Sequence, residues 1–195
     1  MELPDFLSEY DKKGVIVLLE GKREVKPEDA PKLVALGKLL ASRTGHMQFR
    51  SGNAGGSDQL FAEGVASVDP KRLQVITPYT GHREKNNKAY QTYALDQINL
   101  AAEPEIVRYS KSNKKTEKLI DRYVSGDRDR FALKAAYIIR DTVKVLGASG
   151  ISPATFGIFY DDLDDPMSGG TGHTISVCKE NNVPLIDQRV WFGWV

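Results

Sequence analysis

Cysteine is almost missing from this chain: Cys178 is the only one in 195 residues. No disulfide can form within the chain, which fits a reducing, cytoplasmic compartment. The three histidines, His46, His82 and His173, fall at no spacing that builds a zinc site, and the single cysteine does not complete one. No apolar run approaches the ~18 residues that a membrane helix needs. The opening MELPDFLSEYDKKG carries acids and lacks the apolar core of a signal peptide. An excess of charge is absent too. Lys and Arg number 27 against 26 Asp and Glu, a net +1, so no global field draws the chain to nucleic acid. There is no internal repeat, low-complexity tract or clear linker.

What is present is ordinary globular composition, 41% hydrophobic and 27% charged, at a length that suits one domain over residues 1–195 with a full core. Residues 14–21, GVIVLLEG, form a short β-branched apolar run that reads as a buried parallel strand. A helix follows over 26–45, with Pro31 at its start, Leu33, Leu36 and Leu40 at helical spacing and Gly45 at its end. HMQFRS is a second strand, SDQLFAEGVASV a second helix and RLQVITP a third strand. The polar stretch 82–102 reads as a helix with Tyr90, Ala94, Gln97 and Ala101 along one side, and PEIVRYS (104–110) as a short strand. NKKTEKLIDRYVSG and the long segment 129–147 read as helices, the latter lined by Phe131, Ala135, Ile138, Thr142 and Val145. ATFGIFY is a buried strand, 169–182 a helix and VPLID a closing strand. This alternation predicts an α/β class: a Rossmann-like three-layer fold with a mostly parallel central sheet. Residues 108–118, RYSKSNKKTEK, are the expected exposed insertion.

Two strand-to-helix turns concentrate glycine. The first runs Gly52-Asn53-Ala54-Gly55-Gly56-Ser57-Asp58, the second Ser168-Gly169-Gly170-Thr171-Gly172-His173. Such turns let backbone N–H groups approach a ligand and aim a helix N-terminus at it, which favours a phosphate or another anion. Neither is a P-loop, because no Gly-Lys-Ser/Thr follows, and neither completes a dinucleotide fingerprint. In a parallel sheet both turns fall on the rim at the carboxyl ends of the strands, where ligands bind.

The same rim collects other candidates. Gly21, Lys22 and Arg23 end the first strand, and Ser51 ends the second. Pro78, Tyr79, His82 and Arg83 follow the third, offering a stacking ring and cations for phosphate or ribose. The acidic run 161–165, DDLDD, is either a solvated loop or a site for ribose hydroxyls or a divalent ion. Cys178 reads as a small buried residue. The terminal VWFGWV either caps the core or forms a dimer contact. No metal centre or resident cofactor is expected, beyond magnesium carried in with a phosphorylated ligand.

By parts, these residues resemble the SLOG superfamily, which joins DprA/Smf-type DNA-processing proteins, YpsA-like proteins and the LOG phosphoribohydrolases. GVIVLLEGKRE is similar to the family's first strand and turn, RSGNAGGSDQLFAEG to its glycine turn and helix, and LQVITPY to the strand ending in proline and an aromatic. AAYIIRDTVKVLG is similar to the helix carrying the family arginine, here Arg140 beside Asp141. GGTGHTISVCKENNVPLIDQ resembles the second turn, helix and closing strand. The match spans 14–188, and residues of about 84–126 match little, so they are expected to be a helical insertion particular to this protein. The resemblance implies a nucleotide-binding Rossmann-like fold and a homo-oligomer. LOG-type enzymes carry a catalytic glutamate in the second turn's helix; its place here is Ser176, and the nearest carboxylate is Glu180.

Three functions stay open. The first is a sensor, sequestering protein or regulator that binds a nucleotide or nucleotide-derived ligand. The second is an N-glycoside-cleaving enzyme with relocated acids at Asp58, Asp161 or Asp162. The third is a DprA-like single-strand DNA binder, which near-zero charge disfavours although REKNNK and SKSNKKTEK form local basic runs.

Overall fold

The computed structural model describes residues Met1–Val195. Six strands form one sheet: β1 (Ile16–Gly21), β2 (Gln48–Ser51), β3 (Leu73–Thr77), β4 (Gln91–Ala94), β5 (Phe156–Tyr160) and β6 (Leu185–Asp187). Their order is β4-β3-β2-β1-β5-β6 and every neighbouring pair is parallel. The expected α/β, Rossmann-like three-layer architecture is what the chain adopts, with the sheet wholly parallel.

Alternation along β1 explains the layers. Val17 and Leu19 point to one face, into a core with Phe6, Leu33, Leu36, Phe61 and Trp191. That face is covered by α1 (Leu3–Tyr10), α2 (Ala30–Arg43), α3 (Ser57–Ala66) and α8 (Gln188–Trp191). Leu18 points to the other face, into a core with Val145, Phe159, Ile175 and Val177. There lie α6 (Arg130–Leu146) and α7 (Gly169–Glu180), flanked by α4 (Pro104–Ser110) and α5 (Lys114–Val124). Glu20 shares the parity of Leu18, so it too faces α6. No helix is long and apolar enough to cross a membrane.

Three local readings are corrected. Residues 82–102 are not a helix: Gly81 and Arg83 sit at φ 79° and 48°, and Gln91–Ala94 pair with β3 as an edge strand. An edge strand with Gln91 and Thr92 exposed lacks the apolar alternation that announces a strand. Residues 104–110 are helix α4 and not a strand. Its β-branched pair Ile106-Val107 favours a strand, but Pro104 starts the helix and Ile106 is 2% exposed in the core shared with α6. On α6 the stripe facing that core is Ala132, Ala135, Ala136, Ile139 and Val143, while Phe131 is 40% exposed. Thr142 and Val145 are also buried, because α7 and the sheet cover this helix from another side.

Both chain ends add to the core. Phe6 stacks with Tyr10 and meets Phe156 edge-on. Trp191 is fully buried against Phe61 and donates its indole N–H to the Phe159 carbonyl at 2.9 Å. Trp194 packs on Phe6 with ring centroids 5.2 Å apart. The aromatic terminus therefore closes the core.

Helices α2 and α3 touch backbone to backbone. A methyl placed on Gly64 would lie 2.1 Å from the Val34 carbonyl oxygen, and one on Gly37 2.4 Å from that of Phe61. Gly64→Val is therefore expected to lower stability by about 1–3 kcal/mol through overpacking. Gly45→Ala, where the new methyl meets nothing within 4 Å, should leave it nearly unchanged. Urea unfolding of both variants checks this; equal midpoints would show that the helices separate freely.

Candidate functional site

The sheet order reverses between β1 and β5: the chain leaves β1 towards β2 and returns to its other side. A crevice opens at such a point, above the strands' carboxyl ends. Here it is a cleft of about 380 Å³. Gly21, Lys22 and Arg23 line it from the end of β1, and Ser168, Gly169, Gly170 and Thr171 from the second glycine turn. Ala54 and Asp58 come from the first turn, and Tyr137, Ile138, Arg140, Asp141 and Lys144 from α6. Both glycine turns thus meet on one rim, as their place in a parallel sheet requires.

In the first turn the close neighbour that excludes side chains is the protein itself. Gly56 has φ 79°, and a methyl there would lie 2.0 Å from the Arg23 carbonyl oxygen. One on Gly52 would lie 2.3 Å from an Arg140 Nη1. Asp58, in the first turn of α3 and 3% exposed, braces the turn and the end of β1: it accepts N–H bonds from Gly52 at 3.1 Å and from Ala54 and Gly21 at 3.4 Å each. Ser51 and Asn53 are buried as well. Asn53 donates to the His82 carbonyl at 3.1 Å, which fastens this turn to the loop after β3. Gly55 lies against the Arg83 guanidinium, itself exposed.

The second turn is open. Gly169 adopts φ 59° with nothing within 4 Å of its would-be Cβ, and it, not Gly170, is the residue with the glycine-type backbone. Ser168, the N-cap of α7, makes no side-chain capping bond. The first amides of this helix therefore face the cleft without a protein partner, and the helix dipole adds positive potential there. Gly172 fits closely beneath its own loop, since a methyl would overlap the Met167 carbonyl.

Beneath the cleft lies a buried charge cluster. Lys144 Nζ is 2.5 Å from Glu20 Oε2 and 2.7 Å from Asp141 Oδ1. Arg140 pairs with Asp141 at 2.9 Å and donates to the Gly52 carbonyl at 2.5 Å. All four side chains are 6% exposed or less. Burial pushes the Glu20 carboxyl up to about 7, although Lys144 pulls it down. Burial would also raise Asp141, but Arg140 and Lys144 outweigh it and hold the group below the ordinary carboxylate range. Three buried polar atoms of this cluster have no hydrogen-bond partner, Glu20 Oε1, Arg140 Nε and Asp141 Oδ1, although the last lies at ion-pair distance from Arg140 and Lys144.

The remaining candidates divide. Pro78 is buried, and Tyr79 stands at the rim against His82, whose ring also meets Tyr137. His82 is 8% exposed; burial, then Arg140, Arg83 and Arg23, depress its pKa to about 4. The imidazole is enclosed and neutral at pH 7, so any contact it makes to a phosphate or ribose is that of an uncharged ring. His173 and Gly172 open on a neighbouring cleft of about 650 Å³ together with Ser176 and Glu180. There His173 Nε2 is 2.9 Å from the Thr142 hydroxyl, and Ser176 donates to Glu180 at 3.0 Å. The three acids proposed for relocated catalysis are engaged: Asp58 as above, Asp161 with the Met167 amide at 3.4 Å, and Asp162 with Lys22 at 3.2 Å. Cys178 is fully buried, which pushes its thiol up to about 12.

Sequence reasoning missed Glu20, Tyr137 and Lys144. A signal was present for two of them. Glu20 ends an otherwise apolar strand, and Lys144 stands four residues after Arg140 on a helix whose neighbouring residues are apolar.

No family model matches the chain, and no curated protein matches it. Among solved structures it is similar to DNA processing protein A from Helicobacter pylori, described for its single-stranded DNA binding mode. The TM-score is 0.49 and the identity 13%, over 92% of this chain and 67% of that one.

The enclosed His82 makes stability depend on pH. In the unfolded chain its imidazole titrates near 6.5; in the fold it titrates near 4. Between these values the unfolded state binds the proton that the folded state refuses, so folding weakens as pH falls from 6.5 to 4. Relative to His82→Phe, the wild type should lose about 1–3 kcal/mol over that window. Urea unfolding at stepped pH measures it, and parallel curves would exclude a depressed pKa.

Proposed function

We propose that this chain binds a phosphorylated, nucleotide-type small ligand in the cleft between the two glycine turns, as a sensor, sequestering protein or regulator. One observation carries the reading. The uncapped N-terminus of α7 faces Lys22 and Arg23 across a cleft that the chain leaves open. Backbone amides and the Arg23 guanidinium around one space are a phosphate cradle, and Lys22, which Asp162 holds at 3.2 Å, borders it. Tyr137 and Tyr79 supply aromatic surface beside it for a base. The engagement of Asp58, Asp161 and Asp162 favours binding over the cleavage of a glycosidic bond by these acids.

A second reading, binding of single-stranded DNA, has one observation in its favour. The two clefts share Ile138, Gly169 and Gly170, so a groove continues from Lys22 and Arg23 to Asn113 and Lys114. A groove with cations at both ends can track a phosphodiester backbone.

Titration calorimetry with adenosine 5′-monophosphate, adenosine and a short oligothymidylate separates these readings. Arg23 is exposed, so Arg23→Ala should leave the fold intact while weakening the monophosphate about tenfold or more and adenosine far less. Lys114→Ala should weaken the oligonucleotide alone. Equal loss for monophosphate and nucleoside would show that Arg23 does not meet phosphate. No binding of any of the three would remove both readings.

A further inference from the structure

The loop between β5 and α7 runs along the edge of the cleft with both its ends fixed. At one end Asp161 is tied to α8: its N–H donates to Gln188 Oε1 at 3.0 Å, and its carbonyl accepts from Gln188 Nε2 at 2.7 Å. At the other end the Met167 carbonyl packs on Gly172, and the Ser168 carbonyl accepts the Gly172 N–H at 3.0 Å. Met167 itself sits at φ 65°, a left-handed conformation that a side chain keeps only where its surroundings hold it. Between these ends Leu163, Asp164, Asp165 and Pro166 are exposed. What joins this stretch to the cleft is one ion pair, Asp162 Oδ2 with Lys22 Nζ at 3.2 Å. Lys22 holds the Asp162 carboxyl below the ordinary carboxylate range.

We propose that residues 162–166 are an autoinhibitory strap: Asp162 occupies Lys22 at the edge of the cleft, and an anion entering the cleft takes Lys22 and releases the loop. This rests on the phosphate-binding reading above, since Lys22 lines that cleft. A carboxylate and a phosphate offer an ammonium the same anionic oxygen, so Asp162 is an internal competitor for the ligand. An ammonium has donors enough for both, but two anions side by side repel each other. A ligand shifts a two-state loop only by its preference for one state. Here the preference is for the released state, in which the ligand gains Lys22 and escapes the charge of Asp162. Release leaves an acidic loop, with Leu163 at its centre, free of the cleft. Occupancy of the cleft is thereby reported on the surface, the output that a sensor or regulator requires.

Calorimetry of the full chain with inorganic phosphate and with adenosine 5′-monophosphate reads the competition. Asp162→Asn should bind both probes about threefold tighter than wild type, the scale of one exposed ion pair. Asp164→Asn removes the same charge from the same loop without touching the pair, and should leave both affinities nearly unchanged. In a Lys22→Ala background Asp162→Asn should no longer tighten binding, because the two residues act through each other. Hydrogen–deuterium exchange over residues 162–167 reads the release. Saturating monophosphate should speed exchange there in wild type, and Asp162→Asn should exchange at the faster rate without it. Binding seen in Asp162→Asn and not in wild type would be the same result in stronger form. Tightening by Asp164→Asn equal to that by Asp162→Asn overturns the strap, as do unchanged or weaker binding by Asp162→Asn and slower exchange with monophosphate bound; each leaves the phosphate site standing. Failure of both probes on wild type and on Asp162→Asn overturns the phosphate site, and the strap with it.

Discussion

The geometry of the cleft depends on a lysine ammonium held between two carboxylates where water does not reach. Lys144 comes from α6, Glu20 from the central strand, and Asp141 from one turn earlier on α6. Taking such ions out of water costs several kcal/mol each, and removal of one partner alone strands the others at about 3–5 kcal/mol. The cluster is thus all-or-none. It fixes α6 against the end of β1, and through Arg140 and the Gly52 carbonyl it fixes the first glycine turn as well. Apolar packing of Val145 against Leu18 holds α6 on the sheet, and the paired charges add to it at the same register.

That arrangement gives the two glycine turns opposite roles. The first is filled from within: Asp58 takes the turn amides of Gly52 and Ala54 that a ligand anion would use, and Arg23 and Arg140 take up the space that missing side chains leave. The second keeps its N-terminus open. Alike in composition, one turn is scaffold and the other is a site. Glycine reports a close approach without saying what approaches.

The cleft is also divided by charge. Cations and helix amides stand at its rim, and a carboxyl with one free oxygen lies at its floor. The neighbouring cleft around His173, Ser176 and Glu180 shares a wall with it, so one helix, α7, borders two spaces of different chemistry.

The sequence by itself determined the α/β class, five of the six strands, both glycine turns and their shared rim, because buried parallel strands are continuous apolar runs and strand-to-helix turns carry glycine. It made Lys22, Arg23 and Gly169 to Thr171 legible as candidates for the same reason. It could not reveal β4, an edge strand without apolar alternation, nor α4, a seven-residue helix that exists through the burial of Ile106. Tertiary structure alone decided that Asp58 serves the fold, that His82 is enclosed and neutral, and that Glu20 meets Lys144 across 124 positions of sequence. Local patterns record which face of an element is buried. Which charge meets which depends on the register of α6 against β1, and that is set only when the whole sheet and its helices have closed.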